Sequence, residues 1–260
     1  MFCNFNQQPT TNNQQPTTNN QQPTTNNQQP TTNKKMKITY YGHSCFGIDI
    51  NGTHLVIDPF ITGNSLASEI EIASIKADYI LLTHAHQDHV LDVEVIAEKT
   101  QATIISNYEI VQYYEGKGLK GHPVNHGGTF KTDAFSAKYV NAIHTSSFAD
   151  GTYGGEPGGF VITSEDKALY IAGDTALTMD MKLIPMTTKL TASIFPIGDN
   201  FTMGIEDAIL ASDFVACKKV IGCHFNTFPP ITINIEEAKE AFTKAKKELT
   251  ILEIGSVINL

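Results

Sequence analysis

From Lys37 onward, apolar positions recur at two spacings. Lys37 to Tyr41, Cys45 to Ile50 and His54 to Ile57 alternate, or stay apolar for a few residues, as strands do. The Asn51-Gly52 pair between the last two suits the positive backbone angles of a two-residue hairpin. Tyr79 to Leu82 reads as a buried strand running into a His-rich loop, and Thr103 to Ser106 as another strand. Val93 to Glu98 and Tyr108 to Tyr114 shift to helical spacing, the second stopping at Gly116 and Gly118. A second β-rich stretch follows, with strands at Phe135 to Ile143, Gly159 to Thr163, Ala168 to Ile171, Ser193 to Pro196 and Lys219 to Gly222. Helices are predicted at Ile205 to Phe214 and Ile235 to Leu249, with a last strand at Ile251 to Leu252. Two β-rich halves, each with helices, predict an α+β domain of two packed sheets covered outside by helices. No linker divides the halves, so residues 36–260 read as one domain.

The first 35 residues have none of this texture. Asn6 to Asn33 is NQQPTTN repeated four times, with Pro9, Pro16, Pro23 and Pro30 in register. The period is seven, yet no repeating position is apolar and every unit carries a proline, so neither a coiled coil nor a buried face can form. A disordered low-complexity extension is predicted. The seven-nucleotide word CCAACAA, read through three copies, encodes Pro-Thr-Thr-Asn-Asn-Gln-Gln in phase, which points to a translated tandem DNA repeat and to Met36 as the start. The rival reading is a Gln/Asn-rich interaction tail. Mass spectrometry of the native protein is expected to find no peptide from Asn6 to Asn33, and such a peptide would overturn the Met36 start.

Composition narrows the function. The 260 residues carry 18 basic against 27 acidic groups, a formal charge of −9, and every basic residue is Lys. Without arginine there is no planar bidentate clamp for phosphate, and the acidic balance argues against nucleic acid as a partner. A small-molecule substrate is expected. No apolar run reaches the roughly 18 residues that span a bilayer, and the N-terminus has no apolar signal region, so neither a membrane nor secretion is implied and a cytoplasmic protein is expected. Cys3, Cys45, Cys217 and Cys223 match no close-spaced metal, redox or disulfide pattern, and read as reduced packing residues.

Thr83 to Val90, THAHQDHV, places His84, His86, Asp88 and His89 in a His-x-His-x-Asp-His pattern. A chance match is on the order of 1 in 2,000, which separates it from a scatter of core histidines. In an extended loop, residues two apart point the same way, so His84 and His86 can face one ion while Asp88 and His89 turn toward a second. Further ligands are available at strand ends, where loops present side chains from a rigid scaffold: His144, Asp174 in Ala172-Gly173-Asp174-Thr175, and His224.

Several segments carry a resemblance: YGHSCF at Tyr41 to Phe46, IDPF at Ile57 to Phe60, THAHQDHV, AGDT at Ala172 to Thr175, PIGDNFTMG at Pro196 to Gly204 and CHFNTFP at Cys223 to Pro229. From Met36 to Leu260 the chain resembles the metallo-β-lactamase superfamily, and within it the prokaryotic metal-dependent hydrolases related to L-ascorbate-6-phosphate lactonase. The resemblance implies a four-layer αββα sandwich, two mixed sheets face to face with helices outside and metals at one edge. It implies that His84, His86 and His144 bind one metal and Asp88, His89 and His224 another, with Asp174 bridging. His and carboxylate ligands suit zinc, which leads, but also manganese, iron or nickel.

Such a dinuclear centre would make the site locally cationic and supply a metal-bound hydroxide at neutral pH. Asp88, Asp174 and His43 are the expected catalytic groups, His43 as substrate contact or proton donor. Asp58 is expected to fix a ligand's ring, or else to be a turn residue before Pro59. Asp199, Asn200, Thr202 and Asn226 are candidate substrate contacts; the first three belong equally to a Gly-punctuated loop capping the helix from Ile205. Gly151 to Gly159 could form a flap beside the site, and His54, His122 and His126 are left as surface or structural. The function that fits is hydrolysis of a small anionic ester, lactone or phosphodiester. An RNA-processing type nuclease and a non-catalytic metal-binding protein are the alternatives.

Overall fold

The structure is a computed structural model and describes residues 36–260; the predicted extension, residues 1–35, lies outside the described residues. Among the described residues, fourteen strands form two seven-stranded sheets. The first takes β1 (Met36–Gly42), β2 (Cys45–Ile50), β3 (Thr53–Ile57), β4 (Tyr79–Leu81), β5 (Thr103–Ser106), β6 (Gly121–Pro123) and β14 (Val257–Asn259), in the order β14-β1-β2-β3-β4-β5-β6. The second takes β7 (Thr129–Lys131), β8 (Ser136–Asn141), β9 (Gly158–Ser164), β10 (Lys167–Ile171), β11 (Ala192–Pro196), β12 (Lys219–Cys223) and β13 (Glu248–Thr250), in the order β13-β12-β11-β10-β9-β8-β7. Each sheet is antiparallel over one half and parallel over the other.

Alternation decides the layers. In β1, Ile38 and Tyr40 turn inward while Lys37 faces out, and the inward residues of both sheets meet in one core that includes Phe46, Ile48, Tyr139, Phe160, Ile162 and Ile194. The opposite face of the first sheet, with Val56, Ile80 and Ile104, packs against α1 (Gln87–Val90), α2 (Val93–Thr100) and α3 (Tyr108–Glu115) through Val90, Val93, Ile96, Ile110 and Tyr114. The second sheet does the same through Tyr170, Phe195 and Val220 against α4 (Ile205–Phe214) and α5 (Ile235–Lys244). This is the predicted αββα sandwich.

The Asn51-Gly52 hairpin forms as predicted, with φ of 55° and 90° and the Gly52 amide donating to Asp49 Oδ1 at 2.7 Å. Three expectations fail. The last helix ends at Lys244, because Ala245 caps it and Lys246 turns into the left-handed region at φ 59°. That frees Glu248–Thr250 to join β12 in parallel, so the strand expected at Ile251 to Leu252 is displaced, and β14 returns to the far sheet beside β1. Phe135 to Ile143 is likewise cut short at Asn141, which leaves His144 on a loop. Among the described residues no helix is long and apolar enough to cross a membrane.

Candidate metal centre

Strand direction gathers the chemistry at one edge. β1 and β3 run the same way, two antiparallel steps apart, and β4 is parallel to β3; in the second sheet β8, β10 and β12 share a direction by the same count. The residues just beyond the C-terminal ends of these six strands are His43, Asp58, His84, His144, Asp174 and His224. Three of them bend the chain through positive φ, His43 at 54°, Asp58 at 44° and His224 at 53°, a conformation that persists only where the surroundings enforce it. Gly173, at φ 66°, sits so close to the His84 loop that a Cβ there would lie 2.7 Å from Thr83 Cβ. Only glycine lets the Asp174 loop approach so closely.

The motif is not extended throughout. His86 ends the extended part at ψ 146° and caps the single helical turn of α1, whose first turn holds Asp88 and whose last holds His89. A carboxylate in a first turn is favoured by the helix dipole. The change of direction separates the ligand atoms into groups, each gathered within 4.8 Å: His84, His86 and His144; His43, Asp88, His89 and His224; and His84, His89 and Asp174. Asp174 Oδ2 lies between the first two, at 3.0 Å from His224 Nε2, 3.3 Å from His89 Nε2, 3.6 Å from His144 Nε2 and 3.9 Å from His84 Nε2. Asp88 Oδ2 is 3.0 Å from His43 Nε2, 3.7 Å from His224 Nε2 and 3.9 Å from His89 Nε2.

Hydrogen bonds fix which ring nitrogens face inward. Asp58 is buried; its Oδ1 accepts the Thr83 amide at 2.8 Å, and its Oδ2 accepts the Thr83 hydroxyl at 2.6 Å and His89 Nδ1 at 2.9 Å. Because Thr83 Oγ1 spends its proton on Asp58, it accepts from His84 Nδ1 at 3.0 Å. One carboxylate thus aims the Nε2 atoms of both His84 and His89 into the site. His86 Nε2 lies 3.2 Å from Thr145 Oγ1, and its Nδ1 faces His84 Nε2 across 3.0 Å. Two ring nitrogens converging in this way are a donor pair that one cation can take. His89 Nε2 and Asp174 Oδ1 are buried without a hydrogen-bond partner, as is His224 Nδ1. Asp174 Oδ1 is an orphaned acceptor of the kind that a bound cation satisfies.

Charge agrees with this. Burial opposes ionisation of Asp88 and Asp174, yet the imidazoles of His89 and His224 hold both carboxyls well below their ordinary range. Burial likewise opposes the imidazolium of His224, but Asp174 raises it to about 9, and Asp174, Asp58 and Asp88 hold His89 well above its usual value. Burial depresses His84 well below it. The chain therefore keeps two carboxylates ionised and recruits positive charge to them, as a cation site does.

His43 stands behind Asp88. Burial lowers it to about 4 against the pull of Asp88, so its neutral ring donates from Nε2 to Asp88 while Nδ1 accepts from the Thr227 hydroxyl at 2.9 Å. Its ring also lies 4.2 Å, centroid to centroid, from that of His224, whose amide donates to the His43 carbonyl at 3.0 Å. It props both side chains. Above the cluster opens a cleft of about 630 Å3 walled by Phe60, Leu91, Phe201 and Phe228, with His86, Asp88 and His144 at its base.

The remaining candidates sit elsewhere. Asp199 and Asn200 are exposed at φ 60° and 56°, in a turn closed by the Asp199 amide on the Met203 carbonyl, and neither lines the cleft; Phe201 between them and Thr202 does. Thr202 donates to the Met203 carbonyl at 3.3 Å. The residue capping α4 is Gly204, without a side-chain bond. Asn226 accepts the Ile233 amide at 2.8 Å and closes its own loop. Gly151 to Gly159 is not a flap: Asn107 and Ser146 bind the Gly154 carbonyl at 2.7 and 2.9 Å, and the Gly158 amide donates to the Thr83 carbonyl at 3.0 Å, so the segment braces the ligand loop. Sequence reasoning missed Thr83, Thr145 and Asp92. Buried Asp92 accepts the Ile61 and Thr62 amides and the Thr62 hydroxyl, holding the loop that carries Phe60. Cys45, Cys217 and Cys223 are free and buried, as expected.

Comparison with known proteins agrees with the fold and with a metal-dependent hydrolase. A family model described as a beta-lactamase superfamily domain matches residues 37–224. The chain is 60% identical over 226 residues to a protein named UPF0173 metal-dependent hydrolase from Christiangramia forsetii, covering 86% of this chain and 100% of that one. It is 45% identical over 232 residues to the UPF0173 metal-dependent hydrolase YtkL of Bacillus subtilis, with the same coverage. Among solved structures, a metallo hydrolase from the hyperthermophilic archaeon Ignicoccus hospitalis superposes with a TM-score of 0.80 at 34% identity, over 87% of this chain and 98% of that one.

Proposed function

The chain belongs to the beta-lactamase superfamily, among relatives named metal-dependent hydrolases, and on that premise we propose that it hydrolyses a small anionic ester, lactone or phosphodiester at a centre of two divalent ions. The observation that carries this reading is Asp174 Oδ2, within 3.9 Å of four imidazole nitrogens drawn from both ligand groups. His84, His86 and His144 would hold one ion and Asp88, His89 and His224 the other, with Asp174 shared; zinc suits this set first, then manganese, iron or nickel. Bound there, the ions would supply Lewis acidity and lower the pKa of water toward 7.

The chain's own groups do the rest. Among the described residues no lysine lines the cleft, so the negative group of a substrate must face the ions at its base, and the remainder rests on Phe60, Leu91, Phe201 and Phe228. Asp88, partly open to the cleft and anchored by His43, is placed to orient the attacking water by accepting its hydrogen bond. A nucleic-acid backbone finds no basic wall here to grip.

Elemental analysis of the native protein, with a panel of esters, lactones and phosphodiesters, tests the reading. Two ions per chain and turnover of a member of that panel are expected, and His86→Ala should lose one ion and the turnover together. Unchanged metal content in His86→Ala would refute it.

A further inference from the structure

On the outer face of the second sheet lies a separate cavity of about 350 Å3. Its floor is a row across three strands, Lys138 of β8 opposite Val161 of β9, and Val161 opposite Tyr170 of β10. Its far wall is the single-turn segment Met179–Leu183 and the chain beyond it, with Ile184 turned inward. None of its lining residues lines the metal cleft.

Two polar groups of this cavity lack partners while their neighbours have them. Asp180 is satisfied by Asn141 Nδ2 at 2.6 Å, and Ser136 and Thr163 share a hydrogen bond at 2.6 Å. Tyr170, by contrast, is 0% exposed and its hydroxyl bonds to nothing. Burial raises the phenol above its ordinary range, so it stays a neutral donor. Lys138 is half-buried and makes no ion pair among the described residues, although the chain as a whole is acidic. A buried hydroxyl without an acceptor is destabilising and rare, and Lys138 adds a cationic donor to the same cavity. Both are donors, and the described residues give neither an acceptor.

Between the two donors the surface is apolar, from Val161 below and Ile184 above. Their backbones stand roughly 10 Å apart, two strand spacings, within reach of one another's long side chains across a small ligand. Asp180 at the rim disfavours a dianion such as phosphate. We propose that this cavity binds a small monocarboxylate bearing a short apolar tail, its carboxylate taken by Lys138 and Tyr170 and its tail laid on Val161 and Ile184.

The test is titration of the metal-loaded full chain with hexanoate, followed by the methyl NMR signals of Val161 and Ile184, which do not report on the metal cleft. Saturable shifts are expected in the wild type. Lys138→Ala should raise Kd at least tenfold. Tyr170→Phe should raise it about fivefold with an unchanged or higher Tm, because it removes an unpartnered hydroxyl. Hexylamine should not shift these methyls. Failure of hexanoate to shift them, equal binding by Lys138→Ala or Tyr170→Phe, or equal binding of hexylamine would each overturn the proposal.

Discussion

Asp174→Asn is expected to lower metal-dependent turnover by roughly a thousandfold, the scale seen when one preorganised electrostatic group is removed from a reacting centre. The substitution is close to isosteric, so the packing beside Gly173 survives and the lost property is charge. Asp174 is buried, with a carboxyl held well below its ordinary range by His224 and His89 despite that burial, so it is ionised at any working pH. No other carboxylate oxygen among the described residues approaches imidazoles of both ligand groups. An amide supplies no anion for two cations to share, and ion content should fall from two per chain to one or fewer. Elemental analysis together with turnover of the substrate found in the panel checks this. Two ions retained at undiminished turnover would remove Asp174 from the centre.

What could be read from the sequence follows a physical division. Strands buried on both faces announce themselves, and β11, in which every residue is buried, appears where apolar run and length predict it. β6, β7 and β14 do not, because they are short edge or near-edge strands of mixed polarity whose pairing, not composition, makes them strands. The helical turn of α1 was hidden for a related reason: its four residues are too few to show periodicity, and what shapes it is the cap at His86 and burial of Val90 beneath α3. The metal-type donors were legible because four of them lie within six consecutive residues. Thr83 and Asp92 were not, since Thr and Asp are ordinary loop residues and their partners lie 25 and 30 or 31 positions away. Sequence local enough to be a motif reveals ligands; the groups that aim them are assembled only by the fold.

Asp58 shows how far that aiming reaches. Asp58→Ala strips the acceptor from three buried donors at once, the Thr83 amide, the Thr83 hydroxyl and His89 Nδ1. At a net 1 kcal/mol or more each, the expected loss is about 3 kcal/mol of folding stability. The effect on metal is distinct from that loss. With Thr83 no longer obliged to donate to Asp58, its hydroxyl is free to donate to His84 Nδ1, which reverses the tautomer and turns a proton into the site; His89 loses its fixed orientation in the same step. One ligand of each group is disturbed, so affinity for both ions should fall, by roughly tenfold to a hundredfold. Asp92→Ala is the control, because Asp92 is equally buried and bonds two amides and a hydroxyl in the neighbouring loop without touching a ligand. Urea unfolding should show comparable destabilisation of the two variants, while competition with a chromophoric chelator should show weakened metal binding in Asp58→Ala alone. Equal affinity losses would mean that Asp58 acts only through stability; the asymmetric result would assign to a single carboxylate the setting of both ligand groups.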